Sequence, residues 1–254
     1  MIKEETKQMP RRRVGLVLVA AAMVMGLLVV GSGAAMAADQ ARGESTAPSG
    51  SSEPVSAQGA SSAKKTFANS SPILIPGDLR AAEGRGGPYP SEIEVSGFKK
   101  GSRITNVTVT LNDLTHTFPD DLDMLLVGPK GQSTILMSDV GGSFDVQRID
   151  LFLDDAFGDN GDGGMPDDQG LAEPNGFGHF APTNVGSGDT FPAPAPTPST
   201  SNKLSVFKGT NPNGTWKLFA LDDEAQIREA GTPPDVGDLA GGWSLEITAK
   251  RRHR

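Results

Sequence analysis

From Thr66 to Ala249, about 184 residues, apolar positions fall in short runs rich in Val, Ile and Leu, with Gly, Pro, Asn or Asp between them. None of the runs sustains a 3.6-residue period, and several alternate with a period of two, the pattern of half-buried strands. The runs predict strands at Ser71–Ile75, Tyr89–Val95, Arg103–Leu111, Asp121–Val127, Gln132–Ser138, Arg148–Leu153, Lys203–Phe207, Thr215–Asp222 and Gly242–Thr248. Val107, Val109 and Leu111 alternate with Thr and so share one face; Trp243, Leu245 and Ile247 alternate likewise with Ser244, Glu246 and Thr248. An all-β domain of two sheets packed face to face follows, long enough for one sizeable core.

The flanks break this pattern. Lys3, Lys7 and Arg11 to Arg13 precede an apolar run from Val14 to Val30, and Ala35-Met36-Ala37 follows. A basic head, an apolar middle and an A-x-A site read as a secretory signal peptide over residues 1–37, which places the mature protein outside the cell or at its surface. An uncleaved anchor is the other reading, because about 17 apolar residues approach the ~20 that span a bilayer. Residues 38–65, rich in Ser, Ala, Gly and Pro, offer almost nothing to bury and are expected to form a disordered linker to the domain at 66–249. A second break runs from Asp154 to Thr200, an acidic, Gly-rich and finally Pro-rich insertion whose Pro-rich end should be extended and stiff. Lys250 to Arg254 form a basic tail, either solvated or in contact with an anionic polymer or membrane.

Charge sharpens the picture. Of 23 Lys/Arg and 31 Asp/Glu, five and two lie in residues 1–37 and four Lys/Arg in the tail, so Ala38–Ala249 holds 14 basic and 29 acidic residues. Such a body argues against nucleic acid as a partner and in favour of cations and basic surfaces; contact with a membrane is expected only through an uncleaved signal segment. The chain has no Cys, so an exported domain must draw its stability from core burial or bound ions.

Thr115-His116-Thr117-Phe118-Pro119-Asp120-Asp121-Leu122, the apolar run to Val127 and Gly128-Pro129-Lys130-Gly131 resemble the first signature of the P domain (Homo B domain) of proprotein convertases. The second signature is matched by Phe207-Lys208-Gly209, Asn213-Gly214-Thr215-Trp216-Lys217-Leu218 and Leu239 through Trp243-Ser244-Leu245, in the family's order. The resemblance implies a jelly-roll-like β-sandwich of the galactose-binding-like kind. In convertases that domain follows a subtilisin-type protease domain and supports its folding, stability and calcium dependence. Two features depart from the family: Asp120 stands where it has Gly, and residues 154–200 are inserted. No Gly-Thr-Ser nucleophile motif is present, and the only His residues are His116, His179 and His253.

Asp120, Asp121 and Asp123 form the densest carboxylate group beside an ordered turn, and hard cations such as Ca2+ want several carboxylate and carbonyl oxygens in loops. Asp121 matches the family's signature Asp, and its alternative role is a turn cap. Asp154 and Asp155, followed by Asp159, Asp162, Asp167 and Asp168, supply further oxygens, although their spacing is not that of an EF-hand. Asp222 and Asp223 end a predicted strand and could converge with Asp121. Trp216 and Trp243 read as core rather than as glycan platforms, and His116 as a strand-end residue bonded to backbone. The sequence therefore points to an exported, non-catalytic, Ca2+-stabilised sandwich that binds a surface protein or glycan. The alternatives are an accessory to a separately encoded subtilisin-like protease and, further off, a hydrolase.

Overall fold

The structure is a computed structural model that describes residues 62–78, 84–158, 163–171, 177–186, 188–199, 201–224 and 235–251. The expected signal segment, most of the expected linker, Asp159, Asp162 and the last three tail residues lie outside the described residues. Among the described residues thirteen strands run in chain order: β1 (Ser62–Asn69), β2 (Ile73–Ile75), β3 (Gly84–Arg85), β4 (Ser91–Val95), β5 (Ser102–His116), β6 (Leu122–Val127), β7 (Ser133–Ser138), β8 (Val146–Leu153), β9 (Phe177–Phe180), β10 (Thr183–Asn184), β11 (Gly214–Asp222), β12 (Gly237–Leu239) and β13 (Trp243–Arg251). One sheet is ordered β1-β13-β5-β12-β2, with β8 also on β5 and β9 on β8; the other is β10-β7-β6-β11-β3, with β4 also on β11. The result is the two-sheet, all-β sandwich that the alternation predicts.

Val107, Val109, Leu111, Trp243, Leu245 and Ile247 are all buried, as are Met124, Leu126, Trp216, Leu218 and Ala220 from the facing sheet. Both indoles are fully enclosed and their N–H groups are satisfied, Trp216 Nε1 donating to Pro212 O at 3.0 Å and Trp243 Nε1 to Ser91 Oγ at 3.0 Å. A buried donor left without such a partner would cost about 1–3 kcal/mol.

Strands β1, β3, β9, β10 and β12 have no counterpart among the predicted runs, and three differences shape the packing. Lys203–Phe207 is not a strand: Leu204–Phe207 form a 3-10 turn, because Asp155 accepts the Leu204 and Ser205 N–H groups, both at 2.7 Å, that a strand would have given to a neighbour. β5 runs five residues past Leu111, through a bulge at Asp113 (φ 59°), whose N–H is taken by Asp150 Oδ1 at 2.8 Å. β1 begins at Ser62, four residues before Thr66, and pairs along its length with β13. Its Lys64-Lys65 pair looks like linker in composition, yet Lys64 reaches Glu246 at 2.6 Å and Lys65 donates to Gly97 O at 2.9 Å.

The insertion contributes β9, parallel to β8, and β10, parallel to β7. Its Pro-rich end lies over the outer face of the second sheet, where Leu125, Val127, Ile135, Phe219 and Leu221 form a separate apolar cluster sealed by Phe191. Tyr89 Oη donates to Pro192 O at 3.1 Å, Arg85 Nη1 to Ala193 O at 3.0 Å, and Ser199 Oγ to Ser133 O at 2.6 Å. Pro has no N–H to leave unpaired, which suits it to lie across a sheet face. β6 and β7 are consequently buried on both sides. Every core residue lies between Ile73 and Ala249, within the compact unit Ser56–Arg254, so this unit carries its own core.

Candidate metal centre

β6 is flanked by antiparallel β7 and β11, so its start meets the ends of both neighbours. Leu122 pairs with Asp222 and Leu221 with Asp123, while Met124 pairs with Met137. That register gathers Asp120 to Asp123, Ser138-Asp139 and Asp222 to Glu224 at one end of the sandwich. β12 starts opposite His116 and brings Asp235 to the same end; Asn184, which pairs with Ser138, donates from Nδ2 to Asp189 Oδ2 at 2.8 Å. Asp121 sits in a 3-10 turn, Pro119–Asp121, opened by Pro at its first position, where the missing N–H costs nothing. Its carbonyl accepts the Asp223 N–H at 3.0 Å, tying the turn to the end of β11.

Three of these carboxylates are almost sealed from solvent: Asp121 is 3% exposed, Asp123 2% and Asp222 0%. Asp121 Oδ2, Asp123 Oδ2 and both Asp222 oxygens have no hydrogen-bond partner, and neither does the buried Oδ1 of Asp120. His116, also 0% exposed, presents Nε2 to Asp222 Oδ2 at 3.5 Å, too long for a full hydrogen bond, while its Nδ1 is engaged by the Phe118 backbone, 3.1 Å from N and 2.9 Å from O. Burying a charge without a partner is far costlier than burying a neutral group, so these oxygens need protons or a cation.

Two groups can be distinguished. Asp121 and Asp222 act on each other, with Glu224 and Asp235 next to them and His116 from the opposite sheet. Asp123 shares the outer face of β6 with Leu125 and Val127 by alternation, and its charged neighbours are Asp223, Asp189 and Asp139. Burial, then Asp222, pushes Asp121 up to about 8. Burial, partly offset by a Ser138 hydrogen bond and reinforced by Asp223, lifts Asp123 to about 7. Burial and then Asp139 lift Asp223 to about 6. Asp222, Asp139 and Asp120 are raised as well, each chiefly by burial; for Asp222, His116 opposes the rise. None of the strongest influences on these six carboxylates is a Lys or Arg.

A hard divalent cation fits this donor set, all oxygen apart from one imidazole. As they stand, no three of the described His, Asp or Glu side chains form a closed coordination group. A cation would have to draw carboxylates together from the surrounding loops.

Asp154 and Asp155 lie elsewhere. Leu153 pairs with Val109, roughly 23 Å along β5 from His116 at about 3.3 Å per residue. Three of their four side-chain oxygens accept backbone N–H groups, Asp154 Oδ1 from Ala156 at 3.0 Å and both Asp155 oxygens from Leu204 and Ser205. Asp167 and Asp168 border the main site, both acting on Asp120. The pattern of the sequence singles out Asp120, Asp121, Asp123, Asp222 and Asp223 but passes over Asp139, Asp189, Glu224 and Asp235. One signal was available for Asp139: Ser138-Asp139 closes β7 as Asp222-Asp223 closes β11.

No protein-family model matches the chain, and no curated protein matches it at a significant level. Among solved structures it is similar to a chain of the Aeromonas sobria serine protease–chaperone complex, with a TM-score of 0.35 and 15% identity over 76% of this chain and 28% of that one. A crystal structure of the serine protease of Aeromonas sobria gives a TM-score of 0.34 and 16% identity over 74% of this chain and 27% of that one. The chain thus spans less than a third of the length of either neighbour.

Proposed function

We propose that this chain is an exported, non-catalytic β-sandwich module that takes up Ca2+ at the end holding Asp121, Asp123, Asp222 and Asp223 and engages a protein or glycan at the cell surface. The observation that carries the Ca2+ reading is the burial of Asp121, Asp123 and Asp222 with four side-chain oxygens that make no full hydrogen bond, the nearest approach being His116 Nε2 at 3.5 Å from Asp222 Oδ2. Asp121 and Asp222 would hold the ion from the gap between the sheets, Asp123 and Asp223 from the outer side. The ion would supply positive charge that balances the cluster and ties the β5–β6 turn, the β7–β8 loop and the end of β11 together. His116 is turned inward onto Phe118 and Asp222, an arrangement for holding charge inside the fold rather than for proton transfer to a substrate in solvent. Thermal melts in chelator and across a Ca2+ titration test the reading. A midpoint that rises with Ca2+ supports it, since a ligand bound only by the folded state must raise stability, and an unchanged midpoint removes it.

A second reading, an accessory to a separately encoded subtilisin-like protease, is favoured by the P-domain-like motifs. Leu122 to Val127, Trp216 and Trp243 all fall on paired core strands of the sandwich. Capture of a subtilisin-like protease on the immobilised module would promote this reading, and capture of glycans or unrelated surface proteins alone would retire it.

A further inference from the structure

The sandwich is polarised along its strands. β5 runs from Ser102 to the acidic end at His116, and β13 returns antiparallel, placing Arg251 opposite Ser102. At the Ser102 end stand Lys99 and Lys100 in the β4–β5 turn, Arg103, Lys208 beside the Gly209–Ile104 hydrogen bond, Lys250 and Arg251, all of them exposed. Among the described residues the acids on that half have local partners: Asp154 and Asp155 accept backbone N–H groups, Glu94 accepts from Thr215 Oγ1 at 2.8 Å, Glu92 faces Lys217 at 3.4 Å and Glu246 faces Lys64 at 2.6 Å. The two ends are separated by the length of a 15-residue strand, roughly 45 Å. The Debye length at physiological salt is about 8 Å, so neither end screens the other, and the net acidity of the body does not describe the field at the basic end.

The described chain enters and leaves the sandwich at this same end. β1 starts at this end, with Ser62 opposite Lys250, so the chain that carries the apolar run Val14–Val30 arrives here. β13 ends at the same end, with Arg251 opposite Ser102, and the sequence continues as Arg252-His253-Arg254. We infer that this basic end is a docking surface for an anionic membrane, which it meets with the carboxylate end directed away. The two exposed large apolar side chains among the described residues, Leu74 and Phe144, lie toward the opposite end: Leu74 pairs with Asp238 of β12, and Phe144 sits just before Val146, which pairs with His116. The attraction is therefore electrostatic and does not involve insertion.

The test uses the unit Ser56–Arg254, which has its own core and lacks the apolar run, in co-sedimentation with phosphatidylcholine vesicles with or without phosphatidylglycerol. Binding is expected only to the anionic vesicles and should vanish near 1 M salt, where the Debye length falls to about 3 Å. Lys99→Glu/Lys100→Glu/Lys208→Glu should weaken it at least about tenfold with an unchanged thermal midpoint. Asp167→Asn/Asp168→Asn, at the other end, should leave binding intact. No binding to anionic vesicles at about 0.15 M salt, or binding indifferent to the triple charge reversal, overturns the proposal. So does capture of soluble polyphosphate without vesicle binding, or head-to-tail self-association that the triple reversal abolishes in the absence of vesicles.

Discussion

Asp154-Asp155 and Asp222-Asp223 look alike in the sequence: each is an acidic pair that ends an apolar strand. In the fold they are opposites. The first pair is spent on backbone, with Asp155 alone accepting two N–H groups at 2.7 Å. In the second pair Asp222 joins Asp121 among carboxylates, where neither Asp222 oxygen makes a full hydrogen bond, and Asp223 stands beside Asp139 and Asp123. The difference teaches that a pair of acids is neither a site nor a cap in itself. What decides is whether the neighbouring strand brings N–H donors or more carboxylates. Beside β8 it brings the 3-10 turn Leu204–Phe207; beside β11 it brings the start of β6.

Removing and restoring Ca2+ is the sharpest way to separate the two pairs. At free Ca2+ about a hundredfold above Kd, the wild-type domain should gain about 2.7 kcal/mol, roughly 5–11 °C in Tm for a domain of this size, read by calorimetric melts. Asp121→Asn and Asp222→Asn should abolish that gain, and in chelator they should be no less stable than wild type because each replaces a carboxyl group whose ionised form burial disfavours with a neutral amide. A smaller effect is expected at the other pair: Asp155→Ala should cost about 2 kcal/mol in denaturant unfolding, equally with and without Ca2+. A Ca2+-dependent loss there would break the contrast. Asp154→Ala, removing one cap bond, should cost about 1 kcal/mol in the same assay.

The pH response sharpens the same comparison. Asp121, Asp123 and Asp223 are raised from 3.8 to about 8, 7 and 6 in the folded chain. Folding therefore favours their protonated forms. This contribution is fully present below the ordinary carboxylate value and is lost as pH rises through the folded values, since the unfolded chain then binds fewer protons than the folded one. The chelated domain should melt at a lower temperature at pH 8 than at pH 5, and saturating Ca2+ should flatten or invert that slope because the ion favours ionised ligands. Melts of Asp121→Asn should show a shallower slope in chelator. A chelated wild type that is steeply more stable at pH 8 would contradict the assignment of Asp121 and Asp123 as buried carboxylates that each keep an oxygen without a donor.

Much of the fold is legible in the residues, because alternation is a local signal. Val107, Val109 and Leu111 announce a buried face, as do Trp243, Leu245 and Ile247, and all six are in the core. Where tertiary contacts override local pattern, the reading stops short. Ser62 to Lys65 have linker composition but gain a partner in β13, and Leu204 to Phe207 have strand composition but are turned by Asp155. The Pro-rich stretch reads as extended, yet only the second apolar face of β6, β7 and β11 shows what it covers. For the candidate centre, the residues next to strand ends stand out. Asp189 and Asp235 do not, because they lie in loops whose proximity depends on sheet order rather than sequence. Asp123 illustrates the same limit. Alternation places it on one face with Asp121, but the 3-10 turn at Pro119–Asp121 breaks the period and turns the two carboxylates toward different neighbours.

Calorimetric titration of Ca2+ into the chelator-stripped unit Ser56–Arg254 tests the central claim most directly, run beside Asp121→Asn/Asp222→Asn and Asp154→Asn/Asp155→Asn. The account predicts saturable binding to the wild type, binding of the same affinity to the Asp154/Asp155 variant, and none to the Asp121/Asp222 variant. A flat wild-type titration, or binding lost in the Asp154/Asp155 variant and kept in the other, would contradict it.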